Sequence, residues 1–400
     1  MMKKKLLITS FDLAIGGVER SLIGLLKQID YNKYDVDLML FKHEGEFLSF
    51  IPNGPKLLPE IPEYTTFRMS VAQIAKEGHY PIAITRAMAK YLGSFQGKVK
   101  KMDEPGYLVI QYGWEITNPF LPKLHKEYDV AIGFLWPHHF IGEKVNAKKR
   151  IGWIHTDYSN IPLNQKLEKK MWGKLDKIVA VSEECSNTFL KLYPDFKSKT
   201  TVIENILSPE FIRKQANEDV SNEIIKVPGR TNLLTVGRFS HAKGLDRAIE
   251  ACKELVNEGF DIHWYVVGYG PLEKDLKILI EKNKLKDRFF LLGKKTNPYP
   301  YIKACDIYVQ PSRYEGKAVT IREAQILGKP VVITNFPTAK SQACDGVDAI
   351  ITPQNCSGIV TGIKRLIEDQ GIRENLISNV RSRNYGNETE IEKLYELIES

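Results

Sequence analysis

Two glutamates eight positions apart, Glu315 and Glu323, stand in the stretch "SRYEGKAVTIREAQILGKP". The apolar run "DIYVQPS" ends just before the first, and the helical pattern "TIREAQIL" holds the second near its first turn. A solvated helix face would explain either glutamate alone, so the rest of the chain must supply the context. It supplies cations. "VGRFSHAKG" sets Arg238 and Lys243 five residues apart, across a loop that runs into a helix. Two fixed positive charges beside a helix N-terminus can hold a diphosphate. Gly268 and Gly270 line a further strand end in "VVGYGPLEKDL". Near the start, "DLAIGGVERS" opens a helix at Gly16 and Gly17, where backbone can approach a ligand closely. His155 follows another strand-like run, in "IHTDY".

Two patterns look like metal sites and are read otherwise. Asp35-Val36-Asp37 alternates with apolar residues in "YDVDLML", as the polar side of a strand start would. His138-His139 has no matching carboxylate or cysteine close by in sequence. Neither unit carries GxGxxG, so no nicotinamide fingerprint is present. The five cysteines, at 185, 252, 305, 344 and 356, form no CxxC. Cys185, Cys252 and Cys305 lie in apolar contexts and are expected to be core residues.

The elements that must position these residues alternate in type. "KLLITS", "YDVDLMLF", "YDVAIGFL", "KRIGWIH" and "DKIVAVS" read as strands, with helical periods among them. After the polar stretch "ANEDVSNEIIKVPGR" the rhythm restarts with "TNLLTVGR", "DIHWYVVG", "RFFLLG", "IYVQPS" and "PVVIT". This is the β-α-β order of doubly wound parallel sheets, in which ligands gather at the C-terminal strand ends. The expected domains are 1–205 and 206–385, with a final segment 386–400 whose helix presents Ile391, Leu394, Tyr395 and Ile398 on one face. Residues 52–107 break the rhythm and read as an insertion. Within it, Arg86, Lys90, Lys98, Lys100 and Lys101 interleave with Ile82, Ile84, Met88, Tyr91 and Leu92, a pattern suited to weak peripheral contact with anionic lipid.

Bulk properties narrow the class. The chain has 400 residues, a net charge of +8 and 43% hydrophobic residues, as two globular domains would. No apolar run approaches the roughly 18–20 residues of a membrane span, and "LLIT" is too short for a signal peptide core. A cytoplasmic location is expected, at the inner face of the membrane if the insertion binds lipid. No dense basic stripe or aromatic ribonucleoprotein pattern supports nucleic acid.

In order along the chain, "GGVERS", "HTDY", "VGRFSHAKGLDRAIEA", "VVGYGPLEKDL", "DIYVQPSRYEGKAVTIREAQILGKPVVIT" and "GVDAIITP" resemble the retaining glycosyltransferases of group 1, also called family 4. The resemblance covers most of the chain except the insertion. It implies GT-B architecture, two Rossmann-like doubly wound parallel-sheet domains facing a central cleft, with the last helix returning to the first domain. It implies transfer of a sugar from a nucleotide-diphosphate sugar, most often a UDP-sugar, to a saccharide or lipid-linked acceptor of cell-surface polysaccharide synthesis, without a metal. On that likeness Glu323 would accept from the nucleotide ribose, and Glu315 would hold the donor sugar. Arg238 and Lys243 would neutralise the leaving diphosphate. Gly17, beside Gly16, would approach the same group, and His155 would lie by the transferred sugar. Gly268 would line the donor pocket, Lys294 would sit near the base, and the amides around Lys317, Ala318 and Val319 would meet sugar or phosphate. Many relatives carry a second glycine where this chain has Ala318, which leaves donor choice open. A sugar-nucleotide epimerase of the same architecture and a non-catalytic saccharide-binding subunit are the alternatives. The paired glutamates disfavour the first, and the presence of both cations disfavours the second.

Overall fold

The computed structural model describes residues 3–14, 16–99 and 106–400. They fall into two units: Met1–Ile206 with Thr389–Ser400, and Leu207–Glu388. The sequence divisions, after residues 205 and 385, lie close to these boundaries.

Unit 1 is built on one parallel sheet of seven strands: β1 (Lys4–Ser10), β2 (Tyr34–Leu40), β3 (Lys56–Leu57), β4 (Leu124–Gly133), β5 (Val145–Ile154), β6 (Lys177–Ala180) and β7 (Thr200–Val202). Their spatial order is β3-β2-β1-β4-β5-β6-β7. The strands are apolar because the helices cover both faces. Helix α1 (Gly17–Gln28) buries Leu22, Ile23, Leu25 and Leu26, with Glu19 in its first turn and Lys27 in its last, as the helix dipole favours. Asp37 corrects the reading of a polar strand edge. It is buried, and its Oδ2 accepts from Lys126 Nζ at 2.7 Å and from the Tyr128 hydroxyl at 2.6 Å.

The interruption of the rhythm begins later than residue 52, because β3 belongs to the sheet. It consists of α2 (Pro62–Thr65), α3 (Val71–Lys76), α4 (Tyr80–Val99) and α5 (Gly106–Thr117). Gly93 lets α5 press against α4, since a Cβ there would stand 2.8 Å from the Val109 Cα. Thr85 and Thr117 hydrogen-bond across the same pair at 3.0 Å. Lys100 and Lys101 lie outside the described residues. Three further helices follow in this unit: α6 (His139–Glu143), α7 (Gln165–Gly173) and α8 (Glu183–Leu192). On α7, buried Glu168 accepts from Gln111, Trp136, Tyr158 and Trp172, which fixes the insertion to the body of the unit.

Unit 2 repeats the plan with α9 (Pro209–Gln215) and six parallel strands: β8 (Thr231–Val236), β9 (Ile262–Val267), β10 (Phe289–Gly293), β11 (Ile307–Gln310), β12 (Val331–Thr334) and β13 (Ile350–Thr352). Their order is β10-β9-β8-β11-β12-β13. The helices between and after them are α10 (Leu245–Asn257), α11 (Glu273–Lys282), α12 (Tyr299–Ala304), α13 (Val319–Ile326), α14 (Ala339–Gln342), α15 (Cys356–Glu368) and α16 (Gln370–Ser382). Two apolar clusters form the core. One holds Leu234, Tyr308, Ile321 and Ile333, and the other holds Leu233, Ile249, Val309 and Ile359. Neighbouring residues of β8 divide between them because successive side chains point to opposite faces.

The last helix, α17 (Glu390–Glu399), belongs to unit 1. Ile391, Leu394 and Ile398 are buried in that unit's core, and Tyr395 stacks on Tyr34 with centroids 5.1 Å apart. Cys185, Cys252 and Cys305 are buried. No helix of the described residues is long and apolar enough to cross a membrane.

Candidate functional site

In unit 2 the strand order reverses between β8 and β11, the pair at which doubly wound sheets open a crevice. Arg238 and Lys243 follow β8, and Glu315 follows β11. The sheet therefore brings together residues that the sequence keeps far apart. Lys243 Nζ donates to Glu315 Oε1 at 2.5 Å, and both side chains are largely buried. The same oxygen accepts from Gln310 Nε2 at 3.0 Å and Ser312 Oγ at 2.6 Å. Arg238 is exposed, and no described side chain pairs with it.

Backbone details make this approach possible. A Cβ on Gly237 would stand 3.1 Å from Cδ and Cε of Lys243, so the glycine gives the lysine stem its path. Gly244, at φ 63, ends the turn carrying Lys243, and a Cβ there would meet the Pro311 carbonyl oxygen at 2.1 Å. Arg313 ties the two loops together. Its amide donates to the Ala242 carbonyl at 2.7 Å, and its guanidinium grips Asp246 at 2.8 and 2.5 Å. Burial alone would push the Asp246 carboxyl up, but the bonds and charge of Arg313 outweigh it and hold it below the usual range. Sequence reading missed Arg313, Asp246, Gln310 and Ser312, since nothing in spacing links loops some seventy residues apart.

Helix α13 begins at Val319, so Glu323 is its fifth residue, near the first turn as expected. It is fully buried, and its Oε1 accepts from the Tyr299 hydroxyl at 3.1 Å. A nearby chain of polar groups runs from Tyr308 to Gln310 at 2.7 Å, with Thr320 on the same Gln310 oxygen at 3.2 Å. The amides expected to face sugar or phosphate are partly used within the protein. Ala318 N–H donates to Gln342 Oε1 at 2.7 Å, and Val319 N–H to the Lys317 carbonyl at 3.1 Å.

Lys294 follows β10, with its ammonium 5.2 Å from the centre of the Tyr269 ring. Gly268, at φ 155, packs so closely that a Cβ would fall 1.9 Å from the Gly237 carbonyl oxygen. Its lack of a side chain is thus a packing requirement of two neighbouring strand ends.

In unit 1, Gly16 is extended and precedes α1, and a Cβ there would lie 2.1 Å from Glu19 Oε2. The glycine makes room for a carboxylate folded back over its own helix start. Burial pushes the Glu19 carboxyl up to about 7. His155 follows β5, and its ring lies 4.7 Å from that of Phe134. Burial pushes His155 down to about 3, against the opposing effect of a hydrogen bond with the Phe134 backbone. The imidazole is therefore neutral at physiological pH, and its Nε2 is buried without a hydrogen-bond partner. His138 bonds through Nε2 to the Trp153 carbonyl at 3.0 Å. No group of three or more potential metal ligands occurs among the described residues.

Residues 217–383 match the family described as glycosyl transferases group 1. The chain is 30% identical over 153 residues to the alpha-D-kanosaminyltransferase of Streptomyces kanamyceticus, covering 38% of this chain and 40% of that protein. It is 24% identical over 226 residues to a Campylobacter jejuni 4-alpha-N-acetylgalactosaminyltransferase named for a diphospho-undecaprenol substrate, covering 56% of this chain and 60% of that protein. The alignments thus span less than two thirds of either relative. The crystal structure of Anabaena HepE in complex with UDP-glucose superposes with a TM-score of 0.69 at 17% identity, covering 99% of both chains. By that structural match and by its two parallel sheets, the chain has the GT-B fold, and its residues 217–383 are similar to the glycosyl transferases group 1 family.

Proposed function

We propose that this protein is a retaining hexosyltransferase that moves a sugar from a UDP-sugar to a saccharide or lipid-linked acceptor in cell-surface polysaccharide synthesis. The observation that carries the reading is the meeting of Lys243 and Glu315 at the β8–β11 switch point, with Arg238 on the same loop as Lys243. In such a transfer the bond from sugar C1 to the phosphate oxygen breaks. A bond from C1 to the acceptor oxygen forms on the same face, and the acceptor proton passes to the leaving phosphate. The diphosphate gains charge as it departs. Lys243 is a cation held in place by Glu315, Arg238 stands on the same loop, and preorganised charge at such a position is the strongest general source of catalysis. Glu315 is assigned the hydroxyls of the donor sugar, Glu323 the ribose, and Lys294 the neighbourhood of the base. Gly268 and the segment Lys317–Val319 would shape the donor pocket. In unit 1, Gly16 and Gly17 would offer close backbone approach to a ligand, and neutral His155 would offer its buried Nε2 to a sugar hydroxyl. HepE, solved with UDP-glucose on the same fold, supports the donor class, and the undecaprenol-linked substrate in the Campylobacter relative's name supports the acceptor class.

The reaction is proposed to need no metal. Thermal-shift measurements against UDP-, GDP- and ADP-sugars, with nucleotide release followed without acceptor, test the reading. A UDP-sugar should stabilise the protein and be slowly hydrolysed, and excess EDTA should leave turnover unchanged. Absence of any shift or release across the panel would remove it. Restoration of an EDTA-abolished turnover by manganese would remove the metal-free part.

A peripheral membrane contact is also proposed. Ile84, Met88, Tyr91 and Leu92 are exposed as expected, whereas Ile82 is buried and Arg86 lies over the Phe67 ring at 4.9 Å. The exposed apolar stripe of α4 runs through Tyr80, Ile84, Met88, Tyr91, Phe95 and Val99. These recur every three or four residues, so they lie along one side of the helix. Exposed Lys90 and Lys98 accompany the stripe, and α4 contains no carboxylate. That charge favours an anionic lipid surface over a second copy of the same cationic helix.

A further inference from the structure

Unit 2 contains a cavity of about 340 Å³ whose lining does not include Arg238, Lys243 or Glu315. Arg322 of α13, Lys340 and Ser341 of α14, Asp348, and Arg383 with Tyr385 beyond α16 face it. Three of these groups are cationic and one is a carboxylate. That carboxylate is fully engaged: Asp348 Oδ1 accepts the Cys344 amide at 2.7 Å, and Oδ2 accepts from Arg383 at 3.0 Å and the Tyr385 hydroxyl at 3.1 Å. Arg322 and Lys340 have no carboxylate partner among the described residues. The guanidinium of Arg322 rests 5.2 Å from the centre of the Tyr385 ring, and its single side-chain hydrogen bond, to Gln325 Oε1, is long at 3.4 Å. With one long bond used, most of its five donors remain for a ligand.

The cavity is thus a concave site with two uncompensated positive charges and a neutral donor in Asn384, the Ser341 hydroxyl being spent on the Thr338 carbonyl at 2.8 Å. Its volume stands at the lower end of small-molecule pockets, roughly 300 to 1,000 Å³. That admits a phosphate and the first atoms attached to it. Its wall is shared with the loop of Glu315. Gln342 lines the cavity, accepts the Ala318 amide and donates to Thr338 Oγ1 at 2.7 Å, and the Thr338 hydroxyl donates to the Glu315 carbonyl at 3.0 Å.

We propose that this cavity is a second anion site, taking the phosphate of a phosphate ester, and that it is distinct from the diphosphate position at Arg238 and Lys243. The ester can belong to a soluble sugar phosphate or to a lipid headgroup. The inference does not depend on the transferase reading, because it rests on other side chains.

Equilibrium dialysis of the full chain with radiolabelled inorganic phosphate tests it. The paired substitution Arg322→Gln with Lys340→Gln should weaken phosphate binding about tenfold or more, the weight of one charge-assisted hydrogen bond. The pair Arg238→Gln with Lys243→Gln should retain that binding. If the first pair fails to fold by its melting curve, Lys340→Gln alone, at an exposed position, should still reduce it. Competition by glucose 1-phosphate identifies the soluble source, and competition by phosphatidylglycerol vesicles the lipid one. Phosphate binding unchanged in the folded Arg322 and Lys340 variant, binding lost wholly through Arg238 and Lys243, or competition by neither ester would each overturn the proposal.

Discussion

Lys243 Nζ lies 2.5 Å from Glu315 Oε1, although 72 residues separate the two in the chain. The pair joins the ends of two strands that are neighbours at the point of reversal in the sheet. It sets the proposed phosphate-binding cation and sugar-binding carboxylate against each other. The pairing gives the group charges a fixed geometry that solvent alone would not supply.

Lys243→Ala should therefore cost turnover far more than stability. Glu315 keeps its bonds from Gln310 and Ser312, so the loop stays in place. Turnover should fall by roughly 10²- to 10³-fold, as when other preorganised donors are removed. Glu315→Gln should leave affinity for free nucleotide diphosphate nearly unchanged while lowering donor turnover. Glu323→Gln should weaken nucleotide and donor alike, by about 10- to 150-fold for a bond to an ionised acceptor. Calorimetric titration beside turnover separates these outcomes. A Glu323→Gln protein that loses stability and keeps nucleotide affinity would show that its carboxylate serves Tyr299 and the fold, not the ribose.

Two glycines of the same region should respond in opposite ways. Gly268→Ala forces a Cβ into the Gly237 carbonyl and onto a backbone at φ 155, so a stability loss of about 3 kcal/mol or more is expected. Gly237→Ala meets only the flexible stem of Lys243. Its stability should change by about 1 kcal/mol or less, while a displaced ammonium lowers turnover about ten- to a hundredfold. Urea unfolding and steady-state rates of the two variants decide; equal stability losses would contradict the packing account.

The carboxyl of Glu19 should make unit 1 sensitive to pH. Burial raises it from 4.5 to about 7; the Asp12 charge adds to the rise, and Arg68 and Arg20 oppose it. Below about pH 4.5 the group is protonated in both folded and unfolded chains. As pH rises towards 7, the unfolded chain ionises while the folded one resists, so the folded state loses stability across this window. Glu19→Gln does not titrate. Its stability relative to the parent should grow by on the order of 1–3 kcal/mol between about pH 5 and 7. Parallel pH dependences in denaturant titrations would rule this out.

The stripe on α4 predicts binding to vesicles. Sedimentation with phosphatidylglycerol vesicles should carry down more protein than sedimentation with neutral vesicles. Lys90→Glu with Lys98→Glu should reverse that preference, since each basic residue contributes about 1 kcal/mol near an anionic surface. Met88→Ser with Phe95→Ser should reduce binding to both. Equal recovery of wild type with both lipids, or with neither, would reject the contact.

The sequence by itself determined the alternation of short apolar runs and helical periods, and with it two doubly wound units. It also marked Arg238, Lys243, Glu315 and Glu323, because glycine turns and strand ends are local signals. What it could not determine is which strand end meets which. A parallel crossover puts a whole helix between neighbouring strands, so contacts such as Lys243 with Glu315 and Arg313 with Asp246 have no local signature. Burial is equally non-local. Glu315 and Glu323 look alike as letters, yet one is held at the mouth of a loop and the other beneath Tyr299. The α4 pattern shows the same limit. Periodicity identified an amphipathic helix, but only packing against α5 and Phe67 decided that Ile82 and Arg86 turn inwards while Tyr91 and Phe95 stay exposed. The Arg322–Lys340 cavity depends on three separate segments, whose closeness exists only once the second sheet has folded.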